Sequence, residues 1–97
     1  MSLYRRAARR DQNEADLIRA LHDVGCVVKQ LREPADLLVG YRGRFLTLEV
    51  KDGNKPASAR KLTSDEIDWQ EVCRYHHLPH FVVATISEAL KAVGAMD

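Results

Sequence analysis

The chain has 97 residues, is 45% hydrophobic and 30% charged, and carries a formal net charge of +1. This describes one globular domain over residues 1–97, too short for two cores and small enough that a partner subunit is expected. Two distant cysteines, Cys26 and Cys73, exclude a disulfide framework, and "MSLYRRAARR" has no apolar run behind it, so a reducing cytosolic setting with no membrane contact is expected.

The first predicted element is a helix over "DQNEADLIRALHDVG". Leu17, Ile18, Leu21 and Val24 recur at helical spacing, and Gly25 stands where a left-handed cap belongs. Asp11 and Glu14 match a capping box. "CVVKQL" is β-branched and short, the mark of a strand, and is followed by "REPA" with its proline. "DLLVGY" and "FLTLEVK" flank the turn dipeptide Arg42-Gly43 and predict a hairpin. "DGNKPASARK" is a polar loop. Thr63 and Glu66 form a second capping box, opening a helix that ends near His77, before Pro79. "HFVVAT" is a fourth strand, and Ser87 is the expected cap of a last helix, "EALKAV". The order is α-β-β-β-α-β-α, with the third and fourth strands parallel through a right-handed crossover.

A hairpin turning at Arg42 and Gly43 pairs Tyr41 with Arg44, Val39 with Leu46 and Leu37 with Leu48, and sets Asp36 opposite Glu49. One face then carries Leu37, Val39, Tyr41, Leu46, Leu48 and Val50. The other carries Asp36, Leu38, Gly40, Phe45, Thr47, Glu49 and Lys51. A slip of one residue would put Asp36 on the apolar face, so this register is expected. Directly opposed carboxylates repel unless something neutralises them, and Mg²⁺ takes hard oxygen ligands of this kind. Lys51 shares the face of Glu49 and reaches toward the same point; while protonated it is no metal ligand.

Taken alone, Glu-x-Lys on a half-exposed strand is an ordinary solvated pattern. Three features add to it. Asp36 opposes Glu49. Glu14 lies on the edge of the buried helix stripe, where either a carboxylate aimed at the sheet or a capping box with Asp11 accounts for it. Cations crowd the segment from Arg42 to Lys61, six against the two anions Glu49 and Asp52. Lys55, Arg60 and Lys61 follow the candidate site directly, and with Arg9 and Arg10 near the N-terminus they suit contact with phosphates.

In "PADLLVG" followed by "LEVK", the sequence resembles the PD-(D/E)xK nuclease superfamily. In its short length, its N-terminal helix with Glu14, and "LT" opening a helix after the basic loop, it resembles the VRR-NUC domains. Those occur in a Fanconi-anaemia-associated nuclease and as small stand-alone proteins, mostly of phages and prophages. The resemblance runs from about residue 11 to residue 94. It implies a restriction-endonuclease-like α/β fold, αβββαβ(α), with a mixed four-stranded sheet flanked by helices.

The activity implied is metal-dependent hydrolysis of DNA phosphodiester bonds. Asp36, Glu49 and the backbone carbonyl of Val50 would hold Mg²⁺ or Mn²⁺. Lys51 would orient or deprotonate the attacking water, and Glu14 would act through water or a second metal. By similarity to Holliday-junction resolvases, the implied substrate is branched DNA and the implied assembly a homodimer, in a bacterial or phage-infected cell. Family members often carry a glutamine early in the helix after the basic loop; here Glu66 holds that place and Gln70 lies one turn on, so either could support the site. Ala35 separates Pro34 from Asp36, where the motif has the two adjacent.

Two other classes of function compete: a non-catalytic nucleic-acid-binding module on the same fold, and an oligomerising interaction protein. Cys73 and His77, at i and i+4 and close to His76 and His80, raise a zinc site, against which Pro79 breaks the geometry. Trp69, Val72, Cys73 and His76 read as a helix stripe facing the core or a dimer partner.

Overall fold

The computed structural model describes residues 13–97. Helix α1 (Glu14–Asp23) leads into β1 (Val27–Gln30) and the hairpin β2 (Leu37–Tyr41) and β3 (Arg44–Val50). A loop holding the 3₁₀ turn Ala57–Arg60 precedes α2 (Ser64–His76), β4 (His80–Val83) and α3 (Ile86–Val93). The sheet order is β1-β2-β3-β4, antiparallel except for the parallel β3–β4 pair. The architecture is the expected one: α/β, with a mixed four-stranded sheet flanked by helices.

Turn chemistry sets the hairpin register. Arg42 (φ 50°) and Gly43 (φ 83°) both adopt left-handed backbone, the two-residue turn whose twist matches that of the strands it joins. Leu37 accordingly pairs with Leu48, Val39 with Leu46 and Tyr41 with Arg44, as the sequence predicts. The alternating side chains then part cleanly. Leu37, Val39, Leu46, Leu48 and Val50 are buried on one face with Val83 of β4, and Tyr41 packs at the rim of the cluster.

Helices α1 and α3 close that face and pack on each other, delivering Leu17, Leu21, Ala89 and Val93 to the core. Burying a leucine of this kind stabilises the fold by about 1.5–3 kcal/mol. Helix α1 ends as predicted. Gly25 (φ 99°) donates to His22 O at 3.0 Å and Cys26 N to Leu21 O at 3.0 Å, a paired cap that needs the left-handed residue glycine supplies without strain.

Two predicted caps differ. The last helix starts earlier than expected: Thr85, not Ser87, is its cap, and the Thr85 hydroxyl accepts from Glu88 N at 3.1 Å. Thr85 has the extended backbone a cap needs, and Ser87 lies inside the helix. At the first helix, Asn13 occupies the cap position and Glu14 is the first helical residue, one place from the chain's entry rather than three. Asp11, Arg9 and Arg10 lie outside the described residues. No helix among the described residues is long and apolar enough to cross a membrane.

Candidate active site

Among the described residues, α2 is the helix over the second face of the sheet, and at the end where β3 finishes that face gathers charge instead of leucines. Glu49 and Lys51 leave β3 on this side, and the hairpin sets Asp36, just before β2, across from Glu49. Asp36 accepts a hydrogen bond from the backbone N–H of Val50 at 2.8 Å through Oδ2. N–H and C=O of one strand residue point to the same side, so the Val50 carbonyl shares the Asp36 edge of β3. The capping box at Thr63 is formed as predicted and brings in a third carboxylate. Glu66 N donates to the Thr63 hydroxyl at 3.2 Å, and Thr63 N to Glu66 Oε1 at 2.8 Å. That same Glu66 oxygen takes the ammonium of Lys51 at 2.9 Å.

Glu49 is 3% exposed and hydrogen-bonds to both Glu66 and Asp36. Burial, followed by those two hydrogen bonds and the negative charges behind them, pushes its carboxyl up to about 10. Burial also works against ionisation of Glu66, but the hydrogen bonds from Glu49, Thr63 N–H and Lys51 outweigh it and hold Glu66 down to about 2. Three carboxyl groups therefore crowd one ammonium, and Glu49 keeps a proton where a cation would otherwise balance the cluster.

The remaining predicted residues divide. Glu14 is 3% exposed and accepts from Gln30 Nε2 at 3.1 Å, so it faces the sheet at the end where β1 finishes. Between the two supporting candidates, Glu66 touches Lys51, whereas Gln70 lies further along α2 in a groove shared with His80. Lys55 and Lys61 are exposed in the loop, and Arg60, half-buried, has an Nε with no hydrogen-bond partner among the described residues. The stripe predicted on α2 is split by the helical turn. Trp69 and Cys73 face the sheet, while Val72 and His76 are exposed. Cys73 hydrogen-bonds to Thr47, and His77, past the helix end in left-handed backbone, is exposed, so these residues do not converge as zinc ligands would.

Two polar constructions were not legible from the sequence. The Asn13 amide donates to Lys51 O at 3.0 Å and to Ala84 O at 2.9 Å, clamping the start of α1 to the ends of β3 and β4. Beside the carboxylates, the Thr47 hydroxyl meets Trp69 Nε1 at 3.2 Å and His80 Nδ1 at 2.7 Å. The only sequence signal for the second was Thr47 itself, on the same face as Glu49.

No group of three His, Cys, Asp or Glu side chains among the described residues could hold a metal ion by itself. The donor set that does converge, Asp36 and Glu49 with the neighbouring Val50 carbonyl, suits a hard divalent cation completed by water and substrate oxygen. A scan against protein-family models and a search of curated proteins give no match. Among solved structures, a "VRR_NUC domain" superposes with a TM-score of 0.60 at 27% sequence identity, over 81% of this chain and 91% of that one. The chain thus has the fold of a VRR_NUC domain, a nuclease domain family.

Proposed function

We propose that this protein is a metal-dependent endonuclease acting on DNA phosphodiester bonds. The observation that carries this reading is the meeting of Asp36, Glu49, Lys51 and Glu66 at one end of the sheet, three carboxyl groups and one ammonium drawn from three separate elements. A purely structural cluster would gain nothing from burying Glu49 among like charges, because an apolar residue there would stabilise the fold more. The non-catalytic binding module leaves that cost without a return.

Asp36, Glu49 and the Val50 carbonyl would hold Mg²⁺ or Mn²⁺. Such an ion, when bound, supplies Lewis acidity at the phosphodiester and makes water acidic enough to attack. The chain's own residues do the rest. Val50 N–H fixes the Asp36 carboxylate, Glu66 fixes the Lys51 ammonium, and that ammonium orients the attacking water and stabilises charge on the phosphoryl oxygens. Glu14 would act at longer range through water or a second ion. Lys55, Arg60 and Lys61 would bind phosphates, a role that suits the exposed side chains of Lys55 and Lys61; Arg9 and Arg10 are proposed for the same purpose.

Branched DNA as the preferred substrate, and a homodimer as the working form, complete the reading. Exposed Ile67, Val72 and Tyr75 on α2, with Leu78 after it, are apolar surface of the kind a second copy would cover. The test is a panel of four-way, flap, nicked and linear DNAs with Mg²⁺ and Mn²⁺, alongside light scattering for mass in solution. Cleavage in metal that disappears in Asp36→Ala supports the reading, and no cleavage of any substrate by the unaltered protein refutes it.

A further inference from the structure

The Lys51 backbone is pinned on both sides. Its N–H donates to Val83 O at 2.8 Å, and its carbonyl accepts from the Asn13 amide at 3.0 Å. The freedom that remains lies in the side chain, a point charge on a flexible four-carbon stem with many rotamers. A partner at the ammonium itself must therefore aim it, and among the described residues that partner is Glu66 Oε1 at 2.9 Å. The two side chains are only 16% and 20% exposed, so this pair is shielded from the water that loosens an ordinary surface ion pair.

The oxygen that holds the ammonium is in turn held by backbone. Thr63 N–H donates to the same Oε1 at 2.8 Å, and the Thr63 hydroxyl accepts from Glu66 N–H at 3.2 Å, so both bonds of the capping box bear on Glu66. A backbone N–H neither titrates nor changes rotamer, which makes it the rigid end of the chain Thr63–Glu66–Lys51. The other threonine-capped helix supplies the contrast. Thr85 accepts from Glu88 N at 3.1 Å and Glu88 Oε1 accepts from Ala84 N at 2.7 Å, with no cation on that carboxylate among the described residues. The cap of α3 thus closes on its own neighbourhood, whereas the cap of α2 ends on the lysine of the candidate site.

We infer that Thr63 is a positioning residue of the active site, acting through Glu66 to fix where the Lys51 ammonium stands. This rests on the nuclease reading above, in which that ammonium orients the attacking water. The first turn of α2 is then a part of the machinery, and loosening it misplaces a reacting group without removing one.

The test reads the ammonium first and the reaction second, with every variant kept below its melting temperature. In NMR of the metal-free protein carrying ¹⁵N-lysine, the Lys51 ammonium exchanges its protons slowly while Glu66 holds it, and its signal is assigned by its loss in Lys51→Arg. Thr63→Ala and Glu66→Ala are expected to broaden that signal away, and Thr63→Ser to keep it. In DNA cleavage with Mn²⁺, Thr63→Ala should lower kcat about 3- to 10-fold with KM within about twofold, the loss of one cap expressed as lost orientation, and Thr63→Ser should restore it. Glu66→Ala should lower kcat about 10-fold or more, after which Thr63→Ala should cost nothing further because its route to Lys51 is gone. Thr85→Ala removes the matching cap of α3 and should leave kcat within about twofold. An ammonium signal unchanged in Thr63→Ala, an undiminished loss of kcat in the Glu66→Ala background, or an equal loss in Thr85→Ala overturns the assignment. Should the unaltered protein cut no DNA at all, the nuclease reading falls and takes this one with it; cleavage together with an unchanged ammonium signal removes only the role of Thr63.

Discussion

The two faces of the sheet follow opposite rules. Under α1 and α3, every inward residue of the hairpin is apolar, and Leu37, Leu46 and Leu48 are fully buried. Under α2, beside the half-buried Leu38, the buried or half-buried side chains are polar, Glu49, Asp36, Thr47, Lys51 and His80, and hydrogen bonds tie them in place. Cys73 is the single buried residue of α2. The contrast teaches where stability and chemistry reside: a face saturated with leucine and valine lets the other hold a protonated glutamate that weakens the fold whenever it ionises.

The sharpest way to break this division is Glu49→Gln. Cleavage should fall by about 10³-fold or more if the carboxylate is needed for the metal, while the metal-free protein should melt higher than the unaltered one. The sign follows from the shift. Glu49 is raised from its ordinary 4.5 to about 10, so its contribution to stability is complete below pH 4.5 and is lost as pH climbs toward 10. Melting temperature of the metal-free protein should therefore decline from about pH 5 upward, and Glu49→Gln should remove most of that decline. Added Mn²⁺ should stabilise the unaltered protein more at pH 8 than at pH 6, and the variant hardly at all. A variant that melts lower at every pH would show that the second face does carry the fold.

On the first face, Leu48→Ala should cost about 2–5 kcal/mol, the usual range for a fully enclosed leucine, measured by urea unfolding. A cost under about 1 kcal/mol would mean that the apolar face is not where the stability lies. The third test concerns the rim of the second face. Replacing Lys55, Arg60 and Lys61 by alanine should flatten the log–log salt dependence of DNA binding by about 2–3, with melting temperature little changed; an unaltered slope would exclude the loop from phosphate contact. The smallest effect is expected at His77, which ends α2 in left-handed backbone at φ 58°. His77→Gly relieves that strain and should stabilise by about 1 kcal/mol, and since the residue is exposed and remote from the carboxylates, cleavage should not change.

Much of this was written locally. Alternation in "DLLVGY" and "FLTLEVK", with Arg42-Gly43 between them, was enough to fix the hairpin register and thereby place Asp36 across from Glu49. The Thr63 box was visible too, because its two members are three residues apart and need no tertiary partner. The caps of the other two helices were misassigned, since Thr85 and Ser87 are equally good capping residues and only the backbone entering the helix selects between them.

What the sequence alone settled was therefore which residues share a face, because side-chain direction in a strand depends on parity and a two-residue turn leaves no freedom in register. The environment of those residues was decided by the tertiary structure. Glu49 looked like one member of a wet strand face, and it is buried only because α2 arrives from a distant part of the chain and sets Glu66 against Lys51. In the same way, Asn13 finds Lys51 and Ala84, and Thr47 finds Trp69 and His80, only after separate elements are docked. Periodicity encodes the direction of a side chain; its burial, its partner and hence its proton affinity depend on distances between segments that no local pattern contains.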